Sequence, residues 1–200
     1  MKSPRILLSL ALLSISTLAL AQSEAHKPAA QPNAPKSDAQ KSFDRLKTLA
    51  GVWEGRGTTT PPVPDMPDIM HVDLQVISSG NALKHEMMGK PKTDGTNSKD
   101  ADHPVTMLYL DGDRLLLTHY CDAGNRPRMA ARVSPDGNTV EFDFVDISGS
   151  TKHGHMDHAV FTIIDANHHT EDWTYLMPGD KPMHAHIDLQ RVPQQTASAR

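Results

Sequence analysis

Histidine offers the most chemistry in this chain. Twelve histidines occur among 200 residues, more than the phenylalanines, tryptophans and tyrosines together. An imidazole titrates near neutral pH, ligates borderline transition metals when neutral and can serve as a general base. Seven of the twelve lie between His153 and His186. Residues two apart on a strand share a face, so His184 and His186 can converge on one ion, with Asp188 as a third ligand or as the acceptor that orients an imidazole. His155, in the run from Lys152 to His158, completes the candidate metal set of His155, His184 and His186. The alternative is a wet strand face and a solvated loop whose imidazoles bind nothing.

A second set, His119, Arg128, His158, His168 and Trp173, comprises the candidates for contact with a small ligand. His119 shares a strand face with Cys121, the only cysteine. The pair has the residue types of a nucleophile and its base, and equally those of a core stripe ending in a small buried hydrophobe. Arg126, Arg128 and Arg132 form a row that either holds an anionic ligand or pairs with Glu141 and Asp143 on the next strand. Trp173 and Tyr175 share a face, as do Phe142 and Phe144. Ten methionines and few aromatics describe an adaptable interior. A Gly-x-Ser-x-Gly elbow, a His-Glu-x-x-His helix, a phosphate loop and a dinucleotide fingerprint are all missing from the sequence. Cavity catalysis with a histidine base is therefore the third reading, after ligand binding and metal or haem binding.

The elements that carry these residues read as strands. From Val52 onward apolar and polar residues alternate at period two between Gly, Pro, Asn and Asp breaks, which predicts ten antiparallel strands. They run at about Val52–Thr59, Ile69–Ser78, Ala82–Gly89, Val105–Leu110, Arg114–Cys121, Pro127–Val133, Thr139–Ile147, Met156–Ile164, His169–Met177 and Met183–Val192. Tight turns at Asp111-Gly112, Pro135 to Asn138, Asp165 to Asn167 and Pro178 to Asp180 link them as hairpins. A ten-strand meander leaves two costly edges unless it closes, so an all-β, up-and-down barrel is expected. One short helix precedes it: Ser37 and Gln40 fit a capping box, Phe43, Leu46, Leu49 and Ala50 repeat at helical spacing, and Gly51 is the expected stop. Two longer loops, Thr60–Asp68 and Lys90–Pro104, either rim a barrel mouth or are plain solvent loops.

The organisation follows. Lys2 and Arg5, an apolar run from Ile6 to Leu20 and an Ala19-Leu20-Ala21 end predict a signal peptide over 1–21, and hence an exported, periplasmic or secreted protein. Residues 22–37 have linker composition, 38–192 form the barrel domain and 193–200 a frayed tail. The run is too short and too interrupted by Ser and Thr for a membrane span. A formal charge of −4, more negative once the basic leader is gone, disfavours nucleic acid as a partner. With a single cysteine the fold is held by its core rather than by an internal disulfide.

Gly51-Val52-Trp53-Glu54-Gly55-Arg56-Gly57, placed after a short helix and opening the first strand, resembles the Gly-x-Trp entrance of lipocalin and calycin barrels. It is similar also to the longer Gly-x-Trp-x-Gly-x-Gly form of nitrobindin-like barrels. The resemblance implies a structural signature of Gly51, Trp53, Gly55 and Arg191, with the last-strand arginine packed across the indole. It further implies a haem whose iron ligand falls on His184. The middle of the chain, including Leu116 to Cys121 and the histidine-rich stretch, departs from the nitrobindin pattern and looks more like uncharacterised secreted bacterial barrels. The leading expectation is a small-molecule-binding barrel for an apolar or amphipathic ligand, with a haem or transition metal as the alternative cofactor.

Overall fold

The computed structural model describes residues 35–64, 66–67, 69–89 and 104–193. The expected leader, residues 1–34 of leader and linker together, most of the Lys90–Pro104 loop and residues 194–200 of the tail lie outside the described residues. Helix α1 spans Asp38–Lys47, and ten strands follow: β1 Gly51–Thr60, β2 Met70–Ile77, β3 Ala82–Gly89, β4 Val105–Asp111, β5 Arg114–Tyr120, β6 Arg126–Val133, β7 Thr139–Ser148, β8 His155–Ile163, β9 His168–Met177 and β10 Lys181–Arg191. Each strand pairs antiparallel with its sequence neighbour, and β1 also pairs with β10, so the meander closes into a barrel without a free edge.

α1 starts as its sequence dictates: Ser37 Oγ accepts from Gln40 N at 3.2 Å, capping one orphan amide. Among the described residues the reciprocal half of the expected capping box is not made; the Gln40 amide nitrogen donates to Asp44. The helix also ends before Gly51. Thr48 is the C-cap, its hydroxyl donating to Arg45 O, and tightened i→i−3 bonds from Thr48, Leu49 and Ala50 carry the chain into β1. Phe43, Leu46 and Leu49 bury against the barrel core.

Alternation along the strands sends one face inward. Trp53, Val72, Leu74, Leu83, Leu108, Leu117, Met129, Val140, Phe142, Phe161, Ile187 and Leu189 are all essentially inaccessible. The four signature residues close the α1 end of this core. Trp53 Nε1 donates to Leu49 O at 2.8 Å, and the Arg191 guanidinium lies 4.1 Å from the indole centre. Its three nitrogens donate to the carbonyls of Thr48, Ala50 and Ala166, tying β10 to the helix exit and to the β8–β9 turn. Gly51 holds φ +138°, and a Cβ there would crowd the same guanidinium. A Cβ at Gly55 would overlap the Asp188 carbonyl oxygen on β10. The glycine spacing is thus a steric requirement of the β1–β10 seam.

Candidate functional site

The site lies inside the barrel, at the end away from α1. A partly open cavity of about 330 Å³ is walled by Met66, Met70, Met87, Met156 and Met183, with Trp173, Tyr175 and Cys121 beside them and His85, Thr106 and His119 at its polar side. Strand register builds that polar side. His85 on β3 is the cross-strand partner of Thr106 on β4, and Thr106 is the partner of His119 on β5. Three inward residues on adjacent strands therefore form one row. His119 Nδ1 and Thr106 Oγ1 are 2.8 Å apart, and both imidazoles pack against Trp173, at 5.7 Å for His85 and 5.6 Å for His119.

Behind this row β9 supplies a buried carboxylate. His169, Glu171 and Trp173 alternate inward, and Glu171 is fully enclosed. It accepts from His85 Nε2 at 2.9 and 3.1 Å, from His169 Nε2 at 3.1 Å and from Trp173 Nε1 at 3.0 Å. Burial alone would raise the Glu171 pKa. Attraction to His85 and the hydrogen bonds from His169 and His85 outweigh it and hold the carboxyl well below the ordinary carboxylate range. An ionised carboxylate only accepts, so both Nε2 atoms carry hydrogen. The Nδ1 atoms of His85 and His169 are buried and have no hydrogen-bond partner. His119 is the opposite case: burial, then the charge of His85, push its pKa down to about 4 against a smaller opposing pull from Asp122. It is neutral at physiological pH.

The other sequence candidates lie elsewhere. Of the ligand set, only His119 and Trp173 reach the cavity. Arg128 points outward and pairs with Asp146, which a register shift between Arg128 and Met129 brings opposite it in place of Val145, while Arg132 of the same row makes the expected pairing with Glu141 and Asp143. His158 is on the outer face between Glu141 and Asp143, at 3.3 and 3.2 Å. His168, also outside, lies 3.1 Å from Asp188. Reading these three as interior contacts is corrected by the strand parity, since Ala159, Phe161, His169 and Glu171 take the inward positions. In the metal set, His184 and His186 face outward, opposite to Ala185 and Ile187, and meet Thr174 at 3.1 Å and Asp172 at 2.7 Å. His155 packs against Phe144 with tilted rings, 5.2 Å between ring centres, and is not gathered with the other two. The haem ligand implied by the resemblance, His184, thus faces away from the cavity and does not fit that role.

Among the described residues, one group of carboxylate and imidazole donors has three ligand atoms within 4.8 Å of each other, Glu141, Asp143 and His158. Arg132 already engages both carboxylates there. A larger depression, about 630 Å³, lies outside the barrel at the α1 end, where Arg191 is committed to main-chain carbonyls. Sequence reasoning missed His85 and Glu171. The available signal was parity: Glu171 shares the face of Trp173 and Tyr175, and His85 sits between Leu83 and Met87.

No family model matches the chain. No curated protein matches it significantly. Among solved structures, the chain is similar to Rv2717c from M. tuberculosis, with a TM-score of 0.54 and 16% identity over 76% of this chain and 98% of that one. A protein with unknown function from the DUF3598 family of Nostoc punctiforme aligns at a TM-score of 0.46 and 12% identity, over 74% of this chain and 48% of that one. At such identity the first likeness establishes a shared barrel fold.

Proposed function

We propose that this chain is an exported barrel that binds a small apolar or amphipathic molecule in its interior cavity. The observation that carries the reading is the cavity itself: about 330 Å³ of space, flexible thioether walls, and a few polar groups gathered at one side. That volume is at the lower end of the roughly 300–1,000 Å³ of small-molecule sites, and apolar walls with few convergent polar groups are their usual chemistry. Methionine walls repack around differently shaped guests. His119, neutral and held by Thr106, offers a ring nitrogen for a ligand hydroxyl or amide. The basic, apolar and Ala-x-Ala leader pattern supports export.

The test uses N-phenylnaphthylamine, a neutral dye that fluoresces when removed from water. The folded protein is expected to enhance and blue-shift its emission, with energy transfer from Trp173. Ala185→Phe, which adds volume at the cavity wall, is expected to weaken binding by about tenfold or more, roughly 1.4 kcal/mol. A folded wild-type protein that leaves the dye emission unchanged sinks the reading. Export is checked separately, by N-terminal sequencing for cleavage after Ala21.

A further inference from the structure

We infer that the polar side of the cavity is a site for a soft monovalent metal ion of the Cu(I) or Ag(I) class, held by His85 Nδ1, a His119 ring nitrogen and the methionine thioethers around them. The site goes beyond the proposed organic ligand and uses none of the outward histidines. Four observations converge on it.

The first is the orphan nitrogen. His85 is 1% exposed, lines the cavity, and has Nδ1 buried with no partner. A buried polar atom left unpaired is costly, and one in a native fold needs an explanation such as a bound ion. The second is orientation. His85 donates its other nitrogen to Glu171, the carboxylate–histidine arrangement that fixes the tautomer of a metal-ligating imidazole and leaves the opposite lone pair free. His119 is held by Thr106 through Nδ1, leaving Nε2 as its other nitrogen, and stands in the same row, against the same indole.

The third is donor softness. The remaining wall is sulfur-rich, with Met66, Met87, Met156 and Met183 and the thiol of Cys121. Thioethers and thiols select Cu(I)-like ions over hard cations, while imidazole is shared by both kinds. The fourth is charge. Among the described residues the cavity lining holds no carboxylate, and the nearest ones, Glu171 behind His85 and Asp122 acting on His119, favour a cation there over an anion. A metal ion on the His85 Nδ1 lone pair takes further ligands from the wall.

The experiment adds Ag(I), which is redox-inert here, to the folded full-length protein in chloride-free buffer. Stoichiometry is read by native mass spectrometry, and ligation by the ¹⁵N shifts of the histidine side chains. One equivalent is expected, with the His85 Nδ1 signal and one His119 nitrogen moving upfield and the His184 and His186 signals unmoved. Met156→Leu and Met87→Leu keep volume and remove a thioether. Each is expected to weaken binding severalfold, as is His119→Gln, while Glu171→Gln costs about 10–100-fold through His85. The double variant His184→Ala/His186→Ala is expected to bind like wild type. The inference is overturned by a folded wild type that takes up no silver, by uptake lost only in the His184/His186 variant, or by uptake that Cys121→Ser abolishes while the His85 and His119 signals never move. The dye titration, run in parallel, separates the two ideas: silver without dye binding removes the organic ligand and keeps the metal, and dye without silver does the reverse.

Discussion

His119 shows how one inward side chain couples the fold to pH. Its folded pKa of about 4 lies below the ordinary value of 6.5, the lowering coming from burial and from His85. Between these two values the unfolded chain takes up a proton that the folded chain refuses. Stability therefore rises with pH across that window and is lost on acidification through it, by about 3 kcal/mol in total. Glu171 has the same sign but acts lower, because a depressed carboxyl costs stability only once pH falls below its ordinary value near 4.5. Urea denaturation at pH 7.5 and pH 5 is expected to give a clear loss of stability in the wild type and a smaller one in His119→Gln, which keeps a partner for Thr106. Equal losses in the two proteins would remove His119 as the cause. Glu171→Ala is a harsher change: it strands the hydrogen-bond donors of His85, His169 and Trp173 in the core and is expected to cost about 3–5 kcal/mol in the same assay at neutral pH.

At the scale of elements, the β1–β10 seam is tightly constrained. Gly55 faces the Asp188 carbonyl with no room for a Cβ, and Arg191 binds three carbonyls while covering Trp53. Gly55→Ala must push β10 outward, and a loss of about 3 kcal/mol in the unfolding free energy is expected from urea denaturation. Arg191→Lys keeps the charge but loses the fork and the flat stack, for about 1–2 kcal/mol. Much of this was readable beforehand. The ten strands were marked by period-two alternation and by turns rich in Gly, Asp and Asn, and the observed ends differ from the expected ones by only one or two residues, as at His155 and Lys181. The apolar run Ala185, Ile187, Leu189 is the inward face of β10, but a ligand-filled barrel can also hold polar residues inside, so the alternation alone left the side of His184 and His186 open. The His85–Glu171 contact was not readable. It joins strands on opposite sides of the barrel, 86 residues apart, and local periodicity is silent about which inward residues meet across a lumen.

The whole molecule is a closed sheet, so no seam opens without creating two unpaired edges. The barrel is expected to unfold as one unit. Its two tryptophans report on different levels, Trp53 under Arg191 at the helix end and Trp173 at the cavity. Urea transitions followed by fluorescence in Trp53→Phe and in Trp173→Phe should each coincide with that protein's own far-UV circular dichroism transition. A cavity level that melts before the backbone signal would show two units instead. If the barrel binds a guest as proposed, the buried carboxylate is expected to act on this same global scale as a filter. Glu171 stands directly behind His85 and Trp173, so a fatty acid entering head-first would press a second negative charge toward it, and carboxyls sharing a site force one of them to become protonated. On the proposed ligand-binding reading, the lumen is expected to discriminate by charge before shape, and a fatty acid is expected to displace the dye less well than a neutral guest of the same size.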